Sequence, residues 1–346
     1  MLDLVIINNV PAFYKINLYN ELSKKINIHV IFLALTDQVV ISEKFRSEIK
    51  FPYHIISNKQ IEKRNIIISM IKVVGLLNKL KFKKIIFGGY DNLETLLLPF
   101  FLSKNKNCLQ FESSIFESKS TGPIAWVKKI ILSRHRAVLP SGEMQCQLLR
   151  KLSFSGVIIK TSGVGIFNRI PFDKIEKSNF EGNFKYLYVG RLIQKKNLFM
   201  LIKIFNENKK PLLIVGDGIL SKELRSNANS NITFASFVDN NQISNIYLNN
   251  DIFILPSEAE PWGLVVEESV YYHLPVIISS NVGCQNEIVA NPQTGLIFES
   301  SNEQSLKESI DLIELKFNKY RNNCCSFNFE SRDNKQIQAY IDLANL

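Results

Sequence analysis

The sequence predicts an α/β protein built from two doubly wound parallel-sheet domains that face a central cleft. At 346 residues the chain exceeds one ordinary domain and suits two of about 150 residues each. Short continuous apolar runs alternate with amphipathic helical segments, the pattern of a parallel sheet covered on both faces. The alternation lapses between Gly163 and Asn183 and then restarts. We therefore expect an N-terminal domain at 1–165, a linker at 166–183, a C-terminal domain at 184–325, and a final helix at 326–346 that packs back toward the N-terminal domain.

The elements follow in order from these runs. In the first domain, β-branched and apolar runs predict strands at Leu2–Ile7, Ile28–Leu33, Tyr53–Ile56, Lys84–Phe87, Cys108–Phe111, Arg136–Leu139 and Val157–Lys160. In the second domain they predict strands at Lys185–Val189, Leu212–Val215, Ile232–Phe234, Ile252–Leu255 and Val276–Ile278. Helical periodicity fills the intervals between them, including segments near 65–80, 196–207, 240–249, 263–273 and 303–318. Because such crossovers are right-handed, helices should cover both faces of each sheet.

Composition narrows the function classes. The formal net charge is +10, so acidic partners are favoured over basic ones. Five cysteines without a CxxC pair predict reduced thiols in a cytoplasmic protein. The opening MLDLVIINNV predicts a buried strand, and no window reaches the roughly 20 apolar residues that a membrane span requires. We expect a cytoplasmic protein, peripheral at the inner face of the cell membrane.

The stretch from Leu255 to Ile278 predicts a ligand site. It indicates a buried strand, a polar loop with Glu260, a helix that begins near Gly263 and contains Glu268, and a second strand. The first turn of such a helix has unpaired N–H groups and a positive dipole end, which suit a phosphate or diphosphate. Open α/β sheets bind ligands at this edge, where their strands end.

A second group of residues points to the same edge. The first strand of the second domain runs into Gly190 and Arg191, and Lys196 opens the predicted helix that follows. Two cations beside a helix N-terminus would hold a diphosphate. Taken alone, Arg191 and Lys196 are also compatible with solvated loop charges.

Four motifs in order resemble the retaining glycosyltransferases of family four. They are Val189-Gly190-Arg191-Leu192 with Lys196, Val215-Gly216-Asp217-Gly218, Leu255-Pro256-Ser257, and Glu260-x(7)-Glu268. The resemblance covers about 90 residues of the second domain, and it implies a GT-B architecture.

The resemblance also implies roles for single residues. Arg191 and Lys196 would bind the diphosphate, Glu260 would act near the donor sugar, and Glu268 would bind the ribose hydroxyls. The remaining nucleotide-sugar contacts would be Gly190, Trp262, Gly263, Leu264, Gly216, Phe237 and Val238. The sugar would come from a UDP- or GDP-sugar, bound as a substrate and not as a cofactor. Because the leaving phosphate is thought to take the acceptor proton in this family, and because the chain has no Asp-x-Asp, we expect neither a protein base nor a metal.

Weaker signals lie in the first domain. Tyr14 and Lys15 open its first helix, Gly89 and Glu112 follow two further strands, and all four are candidate contacts to acceptor or donor. Each is equally compatible with an ordinary turn residue.

Lysines and arginines also mark two helical runs, at 66–80 and 126–136. Basic amphipathic helices indicate contact with an anionic membrane, although core-facing helices with solvated lysines explain the pattern too. Nucleic-acid binding fits less well, because no aromatic-basic interleaving accompanies the charge.

The sequence thus predicts a retaining, metal-independent glycosyltransferase that uses a nucleotide-diphosphate sugar and a saccharide or lipid-linked saccharide acceptor. Bacterial surface polysaccharide assembly is the expected setting. Two alternatives stay open: a nucleotide-sugar epimerase of GT-B fold, and a non-catalytic, membrane-docked subunit that binds nucleotide sugars.

Overall fold

The chain forms two compact units. The computed structural model describes residues 1–35, 47–171, 175, 182–238 and 242–346. Unit 1 consists of Met1–Phe167 and Glu330–Leu346, and unit 2 consists of Asn168–Phe329. The predicted linker at 166–183 lies partly outside the described residues, as does the start of the helix predicted near 240.

Unit 1 is a seven-stranded sheet in the order β3-β2-β1-β4-β5-β6-β7, and all of its strand pairs are parallel. The strands are β1 (Leu2–Asn8), β2 (Ile28–Phe32), β3 (Tyr53–Ile55), β4 (Phe82–Phe87), β5 (Asn107–Phe111), β6 (Ala137–Pro140) and β7 (Val157–Ile158). Among the described residues, the helices are α1 (Phe13–Ser23), α2 (Ile66–Leu77), α3 (Leu93–Phe101), α4 (Gly122–Ser133), α5 (Glu143–Lys151) and α12 (Phe329–Ala344).

The first sheet is covered on both faces. Along β1, Leu4 and Ile6 enter one buried cluster, whereas Val5 and Ile7 enter the other, as the two-residue period of a strand requires. Helices α1 and α12 supply side chains to the first cluster, and α2 to α5 supply the second. Four of the five cysteines are buried in the two units, Cys325 is exposed, and all five are free thiols.

Unit 2 is a six-stranded parallel sheet in the order β10-β9-β8-β11-β12-β13. The strands are β8 (Tyr186–Val189), β9 (Leu212–Val215), β10 (Ile232–Ala235), β11 (Ile252–Leu255), β12 (Val276–Ser279) and β13 (Gly295–Phe298). The helices are α6 (Leu198–Asn208), α7 (Ser221–Ser226), α8 (Ile243–Leu248), α9 (Leu264–Tyr271), α10 (Glu303–Leu315) and α11 (Phe317–Cys325). None of the helices that the structure describes is long and apolar enough to cross a bilayer.

Three local predictions were wrong. Strand β13 was missed, because it is a four-residue edge strand of mostly half-buried residues that contains a glycine. The single helix predicted at 303–318 is broken at Lys316 into α10 and α11. Lys196 does not open the following helix; it ends a short 3-10 turn at Gln194–Lys196, and Asn197 takes a left-handed conformation before α6 begins.

A buried ion pair joins the starts of α2 and α3. Arg64 donates from Nε and Nη2 to the two carboxylate oxygens of Glu94, at 2.9 and 2.7 Å, and Nη2 also donates to Asn92. The two ionic side chains are 6% and 0% exposed. Burial by itself raises the pKa of Glu94, but the hydrogen bonds from Arg64 and its neighbours outweigh it and lower that pKa. The pair therefore fixes two helices that lie side by side.

Replacing Arg64 with alanine should destabilise the protein by about 3 kcal/mol, because it leaves the carboxylate of Glu94 buried without its counter-ion. Urea denaturation measures this change. Lys24→Ala is the matched control: it removes an ion pair with Glu21 whose side chains are 59% and 45% exposed, and it should cost less than about 0.5 kcal/mol. Equal effects of the two changes would contradict a structural role for the Arg64–Glu94 pair.

Candidate functional site

The centre of the second sheet is a topological switch point. Strand β8 lies between β9 and β11, so the chain runs outward from β8 in one direction through β9 and β10, and in the other through β11 to β13. The loops after β8 and β11 therefore diverge at the carboxyl edge and leave a crevice, the place where open α/β sheets bind ligands. These two loops carry Gly190 to Lys196 and Pro256 to Gly263.

An ion pair joins the two loops. The ammonium of Lys196 donates to Oε2 of Glu260, and the two side chains are 13% and 14% exposed. The partners are 64 positions apart in the sequence. The structure thus brings together two of the predicted site residues at the switch point.

The backbone holds both partners of this pair. The N–H of Glu258 donates to the carbonyl of Lys195 at 2.9 Å, which ties the β11 loop to the β8 loop. Glu260 makes a parallel bridge to Val282 in the loop after β12, with its N–H donating to the carbonyl of Asn281 at 3.0 Å. The position of Glu260 is therefore set by hydrogen bonds to two neighbouring loops.

Glycines allow the loops after β8 and β9 to interlock. Gly216 has a φ of 139°, and a β-carbon built on it would lie 2.0 Å from the carbonyl oxygen of Gly190. Further along, the N–H of Leu192 donates to the carbonyl of Asp217 at 2.8 Å. Only glycine fits at 216, since any side chain would collide with backbone.

Arg191 extends from this interlocked loop into solvent. Its side chain is exposed, while its carbonyl accepts a hydrogen bond of 3.1 Å from the hydroxyl of Tyr188. Tyr188 is fully buried in β8, and burial together with Glu260 raises its pKa. The hydroxyl of Tyr188 therefore stays protonated, and its hydrogen bond fixes the backbone at Arg191.

The start of α9 is closely packed. Trp262 is 3% exposed, and its indole N–H donates to the carboxylate of Glu267. Gly263 is the N-cap with a φ of 97°, and its carbonyl accepts from the N–H of Val266 at 2.9 Å. Leu264 is half-buried. The side chain of Trp262 thus anchors the helix start and is turned away from solvent.

Glu268 lies deeper than Glu260. It is 8% exposed, and its Oε2 accepts a 2.6 Å hydrogen bond from the hydroxyl of Tyr247. Burial raises the pKa of Glu268 to about 7, and the neighbouring Glu267 adds to this, while the Tyr247 hydrogen bond opposes it. Tyr247 in turn stacks on Tyr272, with ring centroids 5.3 Å apart. At neutral pH, Glu268 is divided between a form that donates and a form that only accepts hydrogen bonds.

The remaining predicted residues of unit 2 follow β10. Phe237 is 67% exposed and Val238 is half-buried. The parallel order of β10, β9 and β8 places both at the same carboxyl edge as Gly190 and Gly216. An exposed phenyl ring at this edge offers a flat apolar surface.

The predicted residues of unit 1 gather at the carboxyl edge of the first sheet. Lys15 is 5% exposed and donates to Glu112, which follows β5. Burial lowers the pKa of Lys15, and the Glu112 carboxylate counters part of this effect. Tyr14 packs beside Gly165, whose absent β-carbon would collide with it. Gly89 has a φ of 151° in the loop after β4.

Within the described ranges, no group of three or more His, Cys, Asp and Glu side chains could hold a metal ion.

Comparison with known families gives one match. Residues 171–326 match the family described as "Glycosyl transferases group 1". The matched region contains Arg191, Lys196, Glu260 and Glu268. It includes most of unit 2 and nearly all of its sheet edge.

Curated relatives share parts of the chain. The chain is 22% identical over 229 residues to an uncharacterized 41.2 kDa protein in the cps region of Klebsiella pneumoniae, covering 63% of each. It is 27% identical over 177 residues to the capsular polysaccharide biosynthesis glycosyltransferase CapM of Staphylococcus aureus, covering 45% of this chain and 46% of CapM. It is 28% identical over 179 residues to the Escherichia coli UDP-Gal:alpha-D-GlcNAc-diphosphoundecaprenol alpha-1,3-galactosyltransferase, covering 46% of each. The chain spans less than two thirds of the length of each of these relatives.

Solved structures share the whole fold. The sucrose-phosphate synthase of Thermosynechococcus elongatus superposes with a TM-score of 0.75 at 16% identity, covering 98% of each chain. The lipopolysaccharide outer core galactosyltransferase WaaB gives 0.70 at 12% identity, covering 98% of this chain and 99% of its own. HepE of Anabaena, solved in complex with UDP-glucose, gives 0.69 at 14% identity over all of both chains. The fold is therefore GT-B, with two parallel-sheet α/β domains, and the comparisons support a glycosyltransferase.

The sequence analysis did not identify two tyrosines, Tyr188 and Tyr247, that hydrogen-bond to predicted site residues. Tyr188 supports the backbone at Arg191, and Tyr247 binds Glu268. A signal was present for Tyr188, because a tyrosine in a buried strand needs a partner for its hydroxyl. Tyr247 comes 21 positions before Glu268 on a different helix, so no local pattern predicted that contact.

Glu268 should make the free energy of unfolding depend on pH. Its pKa is raised from 4.5 to about 7 in the folded protein, so its contribution to stability is fully present below about pH 4.5 and is lost as pH rises through 7. Relative to Glu268→Gln, the wild type should lose up to about 3 kcal/mol between pH 5 and pH 8. Urea denaturation of both proteins across this range tests it, and parallel pH profiles would show that the carboxyl group is not responsible.

Proposed function

We propose that the protein is a retaining, metal-independent glycosyltransferase that moves a sugar from a nucleoside-diphosphate sugar to a saccharide or lipid-linked saccharide. The observation that carries this proposal is the Lys196–Glu260 pair at the switch point of the second sheet, beside the exposed Arg191. The loops after β8 and β11 thus supply a carboxylate and two cations at one edge of the sheet. Cleavage of a glycosyl phosphate bond develops positive charge on the sugar and negative charge on the diphosphate. The carboxylate can stabilise the first charge and the two cations can stabilise the second.

The diphosphate would bind to Arg191 and Lys196. Arg191 is free to turn toward a ligand because its side chain is exposed, whereas its backbone is fixed by Tyr188. Lys196 is largely removed from water, so once its ammonium turns from Glu260 to a phosphate, water would screen that interaction less. As the diphosphate departs, both cations would stabilise its growing charge.

Glu260 would face the donor sugar. It is held by backbone hydrogen bonds to Asn281 and Gly283, so the carboxylate needs little reorganisation during reaction. From there it would orient sugar hydroxyls or stabilise an oxocarbenium-like transition state. The leaving phosphate would take the acceptor proton, so the chain needs no strong base.

Glu268 would bind the ribose hydroxyls. Its Oε2 is already bonded to Tyr247, which fixes the orientation of the carboxyl group. The exposed ring of Phe237 would lie against the nucleobase, with Val238 beside it. The donor would be a UDP- or GDP-sugar, and we favour UDP because HepE of Anabaena was solved with UDP-glucose and the E. coli relative is named for UDP-Gal.

Unit 1 would bind the acceptor. Its carboxyl edge carries the Lys15–Glu112 pair together with Tyr14 and Gly89, a set of polar groups suited to sugar hydroxyls. The relatives named for capsular polysaccharide biosynthesis and for a diphosphoundecaprenol substrate favour bacterial surface polysaccharide as the product.

A panel of UDP, GDP, ADP, dTDP and CMP in thermal-shift assays should single out one nucleotide. At a hundred times its dissociation constant, that nucleotide should add about 2.7 kcal/mol of stability, which is several degrees in Tm. Arg191→Ala should remove the shift. Lys203→Ala, which breaks an exposed ion pair between Lys203 of α6 and Glu303 of α10, should leave it intact. If all five nucleotides fail to shift Tm, the proposal of a nucleotide-sugar donor is wrong.

Glu260→Gln should lower the rate of sugar transfer by about 100-fold or more without weakening nucleotide binding. The amide keeps the shape of the side chain but lacks the charge. Glu258→Gln, an exposed carboxylate in the same loop, is the control and should retain full activity. Product analysis by NMR then checks that the anomeric configuration is retained, and incubation with donor alone separates transfer from epimerisation.

A further inference from the structure

Three consecutive helices of unit 1 expose large apolar side chains. Among the described residues, helices α2, α3 and α4 contain most of the exposed large hydrophobic side chains. They are Ile66, Ile67, Ile68, Ile71, Val74, Leu93, Leu97, Phe100, Phe101, Ile124, Trp126 and Val127. Single exposed apolar residues are ordinary, but a contiguous group of this size marks an interaction surface.

These helices lie on one side of the first sheet. Val73 and Leu77 of α2, Leu98 of α3, and Ala125 and Leu132 of α4 all enter the same buried cluster. Helices α2 and α3 also pack against each other, and Arg64, two residues before α2, pairs with Glu94 in the first turn of α3. Their outward surfaces therefore form one layer, which we call the apolar face.

The apolar face reverses the usual pattern of a surface helix. In α2 the buried positions include Ser69, whereas Ile67 and Ile71 are 73% and 66% exposed. A helix that covers a sheet in water normally presents polar residues outward. The sequence IIISMIKVVGLL instead supplies apolar side chains to both sides.

The apolar face adjoins the carboxyl edge of the first sheet. Helices α2, α3 and α4 follow the parallel strands β3, β4 and β5, so each helix begins at that edge. Ile67, Leu93 and Ile124 all lie in first turns. The Lys15–Glu112 pair lies at the same edge.

Exposed cations surround the apolar face. The helices and their flanking loops carry the exposed lysines 59, 63, 72, 79, 104, 106, 119 and 129, against the exposed carboxylates of Glu62, Asp91 and Glu117. A second copy of the chain would bring this positive rim against itself, which is unfavourable. An anionic partner with an apolar interior complements both the rim and the centre.

We propose that the apolar face binds the surface of an anionic lipid bilayer. Ile67, Ile71 and Trp126 enter the boundary between head groups and acyl chains, and the surrounding lysines contact lipid phosphates. Trp126, at 66% exposure, is suited to that boundary because its ring is apolar and its N–H can stay hydrated. Lipid binding needs neither donor nor acceptor, so it is independent of the proposed reaction.

Vesicle flotation tests the proposal with the full chain. Binding to vesicles of phosphatidylglycerol and phosphatidylcholine should exceed binding to phosphatidylcholine alone by roughly tenfold or more. The triple variant Ile67→Ser, Ile71→Ser, Trp126→Ser should bind the anionic vesicles at least roughly tenfold more weakly. Lys63→Gln with Lys129→Gln should reduce the preference for anionic vesicles.

A matched control keeps the test specific. Ile219 and Leu315 of unit 2 are 87% and 80% exposed and lie outside the apolar face, so Ile219→Ser with Leu315→Ser should bind vesicles like the wild type. Thermal melting confirms that each variant is folded. Equal loss of binding in both sets of variants would overturn the proposal, as would vesicle binding that is unaffected by the triple variant.

Tryptophan fluorescence gives a second readout. The chain has two tryptophans, and Trp262 is buried, so a blue shift on adding anionic vesicles reports Trp126. Trp126→Phe should abolish the shift while retaining most of the binding. A dimer that forms without lipid and is broken by the triple variant would assign the face to a second copy and overturn the proposal.

Discussion

The second unit depends on the ion pair between Lys196 and Glu260. Both side chains are largely removed from water, and the cost of desolvating two charges is met only because they bond each other and because the backbone around them is fixed. Within the pair the charges cancel. A diphosphate would therefore be attracted first by the exposed Arg191, and it would then compete with Glu260 for the ammonium of Lys196. Such an exchange would free the carboxylate for the sugar as the phosphates are bound.

Because the backbone of the site is fixed, this exchange of partners would require little rearrangement of the surrounding residues. The loops after β8 and β9 interlock where Gly216 meets Gly190, and the loop after β11 is tied to Lys195 and Val282. A change of partners would therefore require only side chains to move. Two buried tyrosines also fix parts of the site through their hydroxyl groups. Tyr188 donates to the carbonyl of Arg191, and Tyr247 donates to the carboxylate of Glu268.

The sequence was sufficient for every described strand except β13 and for their common edge, because buried parallel strands such as β1 and β11 are continuous apolar runs. It was insufficient where contacts between residues far apart in the sequence determine the local structure. Nothing local to Lys15 predicts a buried ammonium paired with Glu112, 97 positions away. The turn at Lys196 likewise follows from the left-handed Asn197 and from the loop after β11, so helical periodicity extended the helix too far. Strand β13 depends on β12 for its pairing, and its half-buried residues gave a weak signal.

Helix α2 shows why pattern alone could not define the partner surface. Its lysines predicted a basic amphipathic helix, but burial of Ser69, Val73 and Leu77 leaves isoleucines on the outer side. The charged residues therefore border an apolar layer and do not form the outer surface themselves. If that layer rests on lipid, the first turns of α2, α3 and α4 place the carboxyl edge of the first sheet beside the bilayer. A lipid-linked saccharide could then reach Glu112 and Lys15 while its lipid stays in the membrane, and only a water-soluble nucleotide sugar would need to diffuse to the protein.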